Sequence, residues 1–157
     1  MIGIWDIIKV IFPAAIAYTM PLLMGALGGL YSERSGVTNL CIEGLMLFGC
    51  FASAAAIVKL QAAGVGFTIS IVIGIVVAMV ASMSLSYLHA LASINLKADQ
   101  TISGTAINML STALTMFLAQ TITGSGNITI VRGIIRSDIP LLSSIPVLGP
   151  LFFSQTY

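Results

Sequence analysis

Few side chains in this sequence could do chemistry, and the most informative of them lie in residues 32–44. Asn39 and Glu43 are four residues apart there, so they share a face if the segment is helical. A carboxylate in an apolar segment is costly, and by default it marks a solute pathway or an internal partner. Glu43 could instead pair with a cation such as Arg34, or bind backbone amides at a broken helix start, where carboxylates are favoured. Both interpretations stay open, and both make this segment structurally special.

Two further apolar stretches carry polar side chains at helical spacing. The members of these two stripes are Ser82, Ser86, His89 and Ser93 in the first, and Gly104, Asn108, Ser111 and Thr115 in the second. Each stripe falls on one helix face, which predicts a wet interior or neighbouring helices joined by hydrogen bonds. Asn108 is the strongest member, because an amide that faces lipid would leave several polar groups unsatisfied. We expect His89, near a helix end, to reach the membrane surface.

Isolated groups of this kind do not favour an enzyme. Acid–base catalysis by Glu43 or His89 would need at least two convergent groups, and the sequence offers single ones. One histidine and two cysteines, with none of the usual metal-binding spacings, predict no metal site. Nothing in the sequence predicts a cofactor.

The elements that must position these groups follow from composition. The chain has 157 residues, of which 58% are hydrophobic and 7% are charged, whereas soluble domains contain about 25% charged residues. So few charges cannot cover a soluble protein, and the sequence predicts an all-α integral membrane protein. Charged residues separate four apolar runs, at about 10–31, 37–58, 67–94 and 102–122, each long enough to span a hydrocarbon core. We interpret residues 1–157 as a single transmembrane domain with about four transmembrane helices.

The last part of the chain, residues 123–157, differs from the rest. It begins with a Thr-Gly-Ser-Gly-Asn turn cluster and contains repeated Ile-Pro pairs. Proline interrupts long helices because it lacks the amide donor and clashes with the preceding turn. We therefore expect a C-terminal extramembrane or interfacial segment here instead of a fifth span.

Three stretches, taken together, resemble permease subunits of bacterial ABC importers. They are GALGGLYSERSGVTNLCIEGLMLFG at residues 25–49, LKADQTISGTAIN at residues 96–108, and the Ile-Pro tail at residues 139–150. Within this family of branched-chain amino acid and ribose-type permeases, they are most similar to the nucleoside or simple-sugar subgroup. Members are about twice as long as this chain, so it looks like the N-terminal half only.

The resemblance implies a multi-pass protein of the bacterial cell (inner) membrane that lines a translocation path. Its expected partners are a second permease subunit, cytoplasmic ABC ATPases and an extracytoplasmic substrate-binding lipoprotein. ATP hydrolysis would then reside in separate subunits, so the chain itself is expected not to be an enzyme. The positions that the resemblance places in the path are Asn39, Glu43, Thr105 and Asn108. The alternatives are a small membrane assembly subunit or a truncated permease without transport of its own.

Overall fold

The computed structural model describes residues 3–130. Its helices are α1 (Ile4–Arg34), α2 (Ile42–Ala62), α3 (Phe67–Ala90) and α4 (Gln100–Thr123), and α3 continues into a π-helical turn at Leu91–Asn95. All four helices are long and apolar enough to cross a membrane, and the described residues contain no strand. The predicted all-α membrane fold is therefore confirmed. The limits of the four predicted spans stay predictions, and most of the predicted segment 123–157 lies outside the described residues.

Contacts divide the described residues between two units, residues 3–26 and residues 27–130. In the first unit, α1 stays helical through Pro13 and Pro21. The Thr19 hydroxyl donates to the Ala15 carbonyl oxygen at 2.7 Å, in the turn that precedes Pro21. Pro13 and Pro21 remove the helical donors of the Lys9 and Ala17 carbonyl oxygens, and transmembrane helices tolerate such prolines where nearby groups satisfy the freed carbonyls. The two prolines therefore do not divide the first predicted span.

In the second unit, α3 and α4 pack on α2 in opposite directions. Leu45 bonds to Ser82, whereas Ile57, twelve residues later, meets Gly74, so α3 is antiparallel to α2. Thr38, just before α2, bonds to Gln100, and Gly44 in α2 bonds to Asn108. The residue numbers on both sides increase together, so α4 runs parallel to α2. Small residues allow the close α2–α3 contact, since a Cβ on Gly74 would lie only 2.6 Å from Ile57 Cγ1.

Short connections fix where α2 and α4 begin. Gly36 has a φ of +86°, a backbone conformation that favours glycine, and the chain leaves α1 at this point. Asp99 precedes α4, and its Oδ1 accepts the backbone N–H groups of Thr101 and Ile102 at 2.8 and 3.1 Å. This is the standard N-cap arrangement, which satisfies donors that the first turn of a helix leaves free.

His89 lies at the end of α3, where the π-helical turn begins. It is only 3% exposed, and its Nδ1 is 3.1 Å from the hydroxyl oxygen of Ser103 on α4. The prediction that His89 reaches the membrane surface is therefore wrong. The histidine instead helps to join α3 to α4 inside the described part of the second unit.

Candidate functional site

The segment between α1 and α2 is not helical, and side chains bind its backbone. Asn39 Oδ1 accepts the backbone N–H of Cys41 at 3.1 Å, so its side chain supports the start of α2. The backbone N–H of Thr38 donates to Gln100 Oε1 of α4 at 2.8 Å. Asn39 therefore precedes the helix that carries Glu43, and the two residues do not share a helix face as the spacing predicted.

Asn108 of α4 joins both sides of the α2 start. Its Nδ2 donates to the carbonyl oxygen of Leu40 at 2.8 Å, and its Oδ1 accepts the backbone N–H of Gly44 at 2.7 Å. A side-chain amide has both donor and acceptor groups, and here each kind binds backbone that the helix break leaves unpaired. The sequence-based expectation that Asn108 faces a polar partner is met by this contact.

Two glycines bring the backbones of α2 and α4 close together. A Cβ on Gly44 would lie 2.7 Å from Asn108 Oδ1 and 3.0 Å from Asn108 Cα. A Cβ on Gly104 would lie 3.0 Å from Leu40 Cβ. Ser111 is fully buried beside Gly44, one turn after Asn108. Small residues at such contacts allow helix backbones to approach closely in membranes.

Glu43 lies in the first turn of α2 and lines a hollow of about 410 Å³ on the α2–α4 side. The hollow is lined by Glu43, Gly44, Asn108, Met109, Thr112, Ala113 and Met116. The Glu43 side chain is exposed, and within residues 3–130 its carboxylate has neither a hydrogen bond nor an ion pair. The two partners considered from the sequence, Arg34 and backbone amides, therefore do not bind it in this part of the chain. An ionised carboxylate only accepts hydrogen bonds, so the hollow offers a free acceptor between apolar and thioether groups.

The four predicted path residues differ in their surroundings. Glu43 and Asn108 lie together at the hollow. Asn39 is near the same helix start but binds its own backbone. Thr105 is exposed on α4, and its hydroxyl donates to the carbonyl oxygens of Thr101 and Ile102, both at 3.0 Å.

The sequence-based prediction missed Gln100, Met109 and Thr112. A signal for Gln100 was present, because it extends the Gly104–Asn108 stripe by one further step of four residues. Met109 and Thr112 gave no such signal, since methionine and threonine occur throughout the apolar runs.

A second hollow, of about 590 Å³, lies at the turn between α2 and α3. It is lined by Val58, Gln61, Ala62, Gly64, Val65, Gly66 and Phe67. Among residues 3–130, no charged side chain lines this hollow, and Gln61 is the one polar side chain that does. The α2–α4 hollow is therefore the better candidate for binding a polar solute.

Comparison with known proteins agrees with the resemblance of the motifs. A family model described as the permease component of the branched-chain amino acid transport system matches residues 12–151. The guanosine ABC transporter permease protein NupQ of Bacillus subtilis is 41% identical over 97% of this chain and 47% of its own length. The nucleoside ABC transporter permease protein NupC of Lactococcus lactis is 37% identical over 95% of this chain and 46% of its own length.

The putative glucose ABC transporter permease protein TsgC13 of Haloferax volcanii is 33% identical over 91% of this chain and 41% of its own length. No solved structure matches the chain. The chain spans about half the length of the curated relatives it matches, and the family match contains α2, α3, α4 and all but the first two turns of α1. The chain therefore belongs to the branched-chain amino acid transport permease family and is a multi-pass protein of the inner cell membrane.

Proposed function

We propose that this chain serves in the membrane-spanning permease subunit of an ATP-driven ABC importer for nucleosides or simple sugars. Two similar permeases are named for guanosine and for nucleosides, and a third for glucose. These solutes share several hydroxyl or N–H donors and no net charge. The chain spans about half the length of these relatives, so the activity belongs to the whole permease.

The partners follow from the same proposal. A second permease subunit would complete the membrane channel, cytoplasmic ABC ATPases would hydrolyse ATP, and an extracytoplasmic substrate-binding lipoprotein would deliver the solute. The described residues supply membrane helices and a hollow that carries the Glu43 carboxylate and the Asn108 amide, which suit the role of lining a path. ATP hydrolysis is accordingly assigned to the separate ATPase subunits.

The free carboxylate of Glu43 is the observation that carries the proposal. A charged group within a membrane-spanning region is costly unless it meets water or a partner, and no partner binds Glu43 within residues 3–130. A water-filled path along the α2–α4 hollow meets this need. In such a path, Glu43 accepts hydrogen bonds from solute hydroxyl or N–H groups. Asn39, Thr105 and Asn108 remain proposed path residues. The side chain of each also forms a hydrogen bond with a backbone group.

The test is uptake by the complete transporter in proteoliposomes, with labelled guanosine and labelled glucose as probes. Glu43→Gln keeps the shape of the side chain but removes its charge. Glutamine still accepts a hydrogen bond, so the loss is the difference between a charged and a neutral hydrogen bond, about 1 kcal/mol. We therefore expect kcat/KM to fall about fivefold. Membrane insertion should be unchanged.

The matched control is Glu33→Gln, which removes an exposed carboxylate in the last turn of α1, outside the hollow. This variant should transport like the parent. Equal uptake by the parent and Glu43→Gln would remove Glu43 from the path. ATP-independent behaviour of the complete transporter, or no uptake of either probe, would overturn the proposed importer function itself.

A further inference from the structure

We propose that Asn108 is a positioning residue: it holds the non-helical start of α2 inside the membrane-spanning region, and thereby keeps the Glu43 carboxylate at the hollow. The inference rests on the proposed function, which it deepens by dividing roles between two residues of one site. Glu43 meets the solute, whereas Asn108 acts through Glu43. Three features of the described residues carry this division.

The first feature is how deep in the membrane-spanning region the non-helical segment between α1 and α2 lies. The contacts of Thr38 with Gln100, and of Gly44 with Asn108, place residues 38–44 beside residues 100–108 of α4. At 1.5 Å per residue, Asn108 lies about 12 Å along α4 from Gln100. The exposed charges of Lys97 and Asp99 precede that helix, as is typical of a membrane surface. The chain therefore enters the membrane-spanning region before α2 becomes helical.

The second feature is how this backbone is satisfied. Non-helical backbone at membrane depth is tolerated only where protein buries it or where it lines a water-filled cavity. Gln100 Oε1 accepts the Thr38 N–H, and the Asn108 amide binds the Leu40 carbonyl and the Gly44 N–H. Removing the Asn108 amide would free two backbone groups at once, one just before the start of α2 and one in its first turn. Of the two α4 side chains that bind this backbone, Asn108 therefore forms two hydrogen bonds and Gln100 forms one.

The third feature is the contrast between the two polar side chains at the hollow. One donor and the acceptor oxygen of Asn108 already bind backbone, and one of these bonds is to Gly44, the residue next to Glu43. The Glu43 carboxylate has no partner within residues 3–130. The Asn108 amide therefore already binds backbone groups that position α2, whereas the Glu43 carboxylate can still accept hydrogen bonds from a solute.

A double-mutant cycle in the complete transporter separates the two roles, because residues that act as a unit have non-additive effects. We expect Asn108→Ala alone to raise KM for guanosine about fivefold with a smaller change in kcat. In the Glu43→Gln background, the same change should raise KM less than twofold. The control Thr121→Ala removes a hydroxyl that bonds within α4, away from the hollow, and should leave KM unchanged. An equal fold-change for Asn108→Ala in both backgrounds would show that Asn108 contacts the solute directly and would overturn the inference.

A labelling measurement tests the positioning without transport. In chains with Cys41 and Cys50 replaced by alanine, Glu43→Cys should react with a membrane-impermeant maleimide, and adding Asn108→Ala should change the rate at least threefold. Asn108→Asp keeps the shape and an acceptor for the Gly44 N–H, so it should fall between the parent and Asn108→Ala. An unreactive Glu43→Cys, or equal rates with and without Asn108→Ala, would overturn the inference. Loss of uptake in the parent would overturn only the proposed function, since the labelling rates would still report the positioning.

Discussion

Helix α2 is held by its two neighbours in different ways. Against α3, Gly49 and Gly74 allow close packing of regular helices, and the Ser82 hydroxyl donates to the carbonyl oxygen of Leu45 at 2.9 Å. Against α4, the contact lies where α2 begins, and Asn108 binds backbone groups on both sides of this helix start. The first contact adds hydrogen bonding to a helix that is already formed. The second determines where the helix begins.

This difference separates a structural contact from the candidate site. Regular helix satisfies its own backbone, so the α2–α3 contact needs few polar side chains and offers few free ones. A broken helix exposes backbone that other groups must satisfy, and the same break brings Glu43 to the α2–α4 hollow. Substitutions at the two contacts should therefore affect stability and transport to different extents.

The largest expected effect is that of Gly44→Ala at the α2–α4 contact. The new Cβ would meet both Asn108 Oδ1 and the backbone Cα of Asn108 at 3.0 Å or less, and a backbone atom cannot rotate away. We expect destabilisation of about 1–3 kcal/mol, a lower melting temperature in detergent, and near-complete loss of uptake.

The matched control is Gly28→Ala in α1, where no atom lies within 4 Å of the added Cβ. Alanine favours a helix by about 1 kcal/mol over glycine, so this variant should melt at or slightly above the parent temperature. Melting temperatures of Gly44→Ala and Gly28→Ala that agree would contradict the close approach of α2 and α4.

Much of the α2–α3 side was predictable from the sequence, whereas the α2–α4 side was predictable only in part. The apolar runs fix four helices because each must cross lipid, and the stripes that contain Ser82 and Asn108 indicate the faces that meet neighbours. The sequence could not show which backbone groups Asn108 binds, because that depends on the relative depth of two helices. Four-residue spacing also misplaced Asn39, since it assumed a helix that begins only after this residue.

His89 shows a second limit of sequence-based prediction. A histidine near a helix end is usually interfacial, but the π-helical turn after His89 and its contact with Ser103 keep it buried. A π-helical turn depends on tertiary packing, and local composition gave no sign of it.

A smaller effect is expected for Gly49→Ala at the α2–α3 contact. The new Cβ would overlap Ser82 Oγ and lie 3.3 Å from the Ala78 carbonyl oxygen. The serine side chain can rotate, so we expect a loss of about 1 kcal/mol and retained transport. The double variant Gly49→Ala with Ser82→Ala should melt above Gly49→Ala alone, because it removes the overlapping oxygen. A double variant less stable than Gly49→Ala would contradict this explanation.

The smallest effect is expected for Ser82→Ala alone, which removes the hydrogen bond to Leu45. Hydrogen bonds between membrane helices contribute about 0.6 kcal/mol on average, so the melting temperature should fall by only a few degrees, with normal uptake. The control Ser84→Ala removes an exposed hydroxyl that bonds within α3 to Val80 and should have no such effect. Equal melting temperatures for the two serine variants would mean that packing alone holds α2 to α3. The difference between Ser82 and Asn108 would then be larger, because hydrogen bonds to the α2 segment would contribute to stability only at its non-helical start.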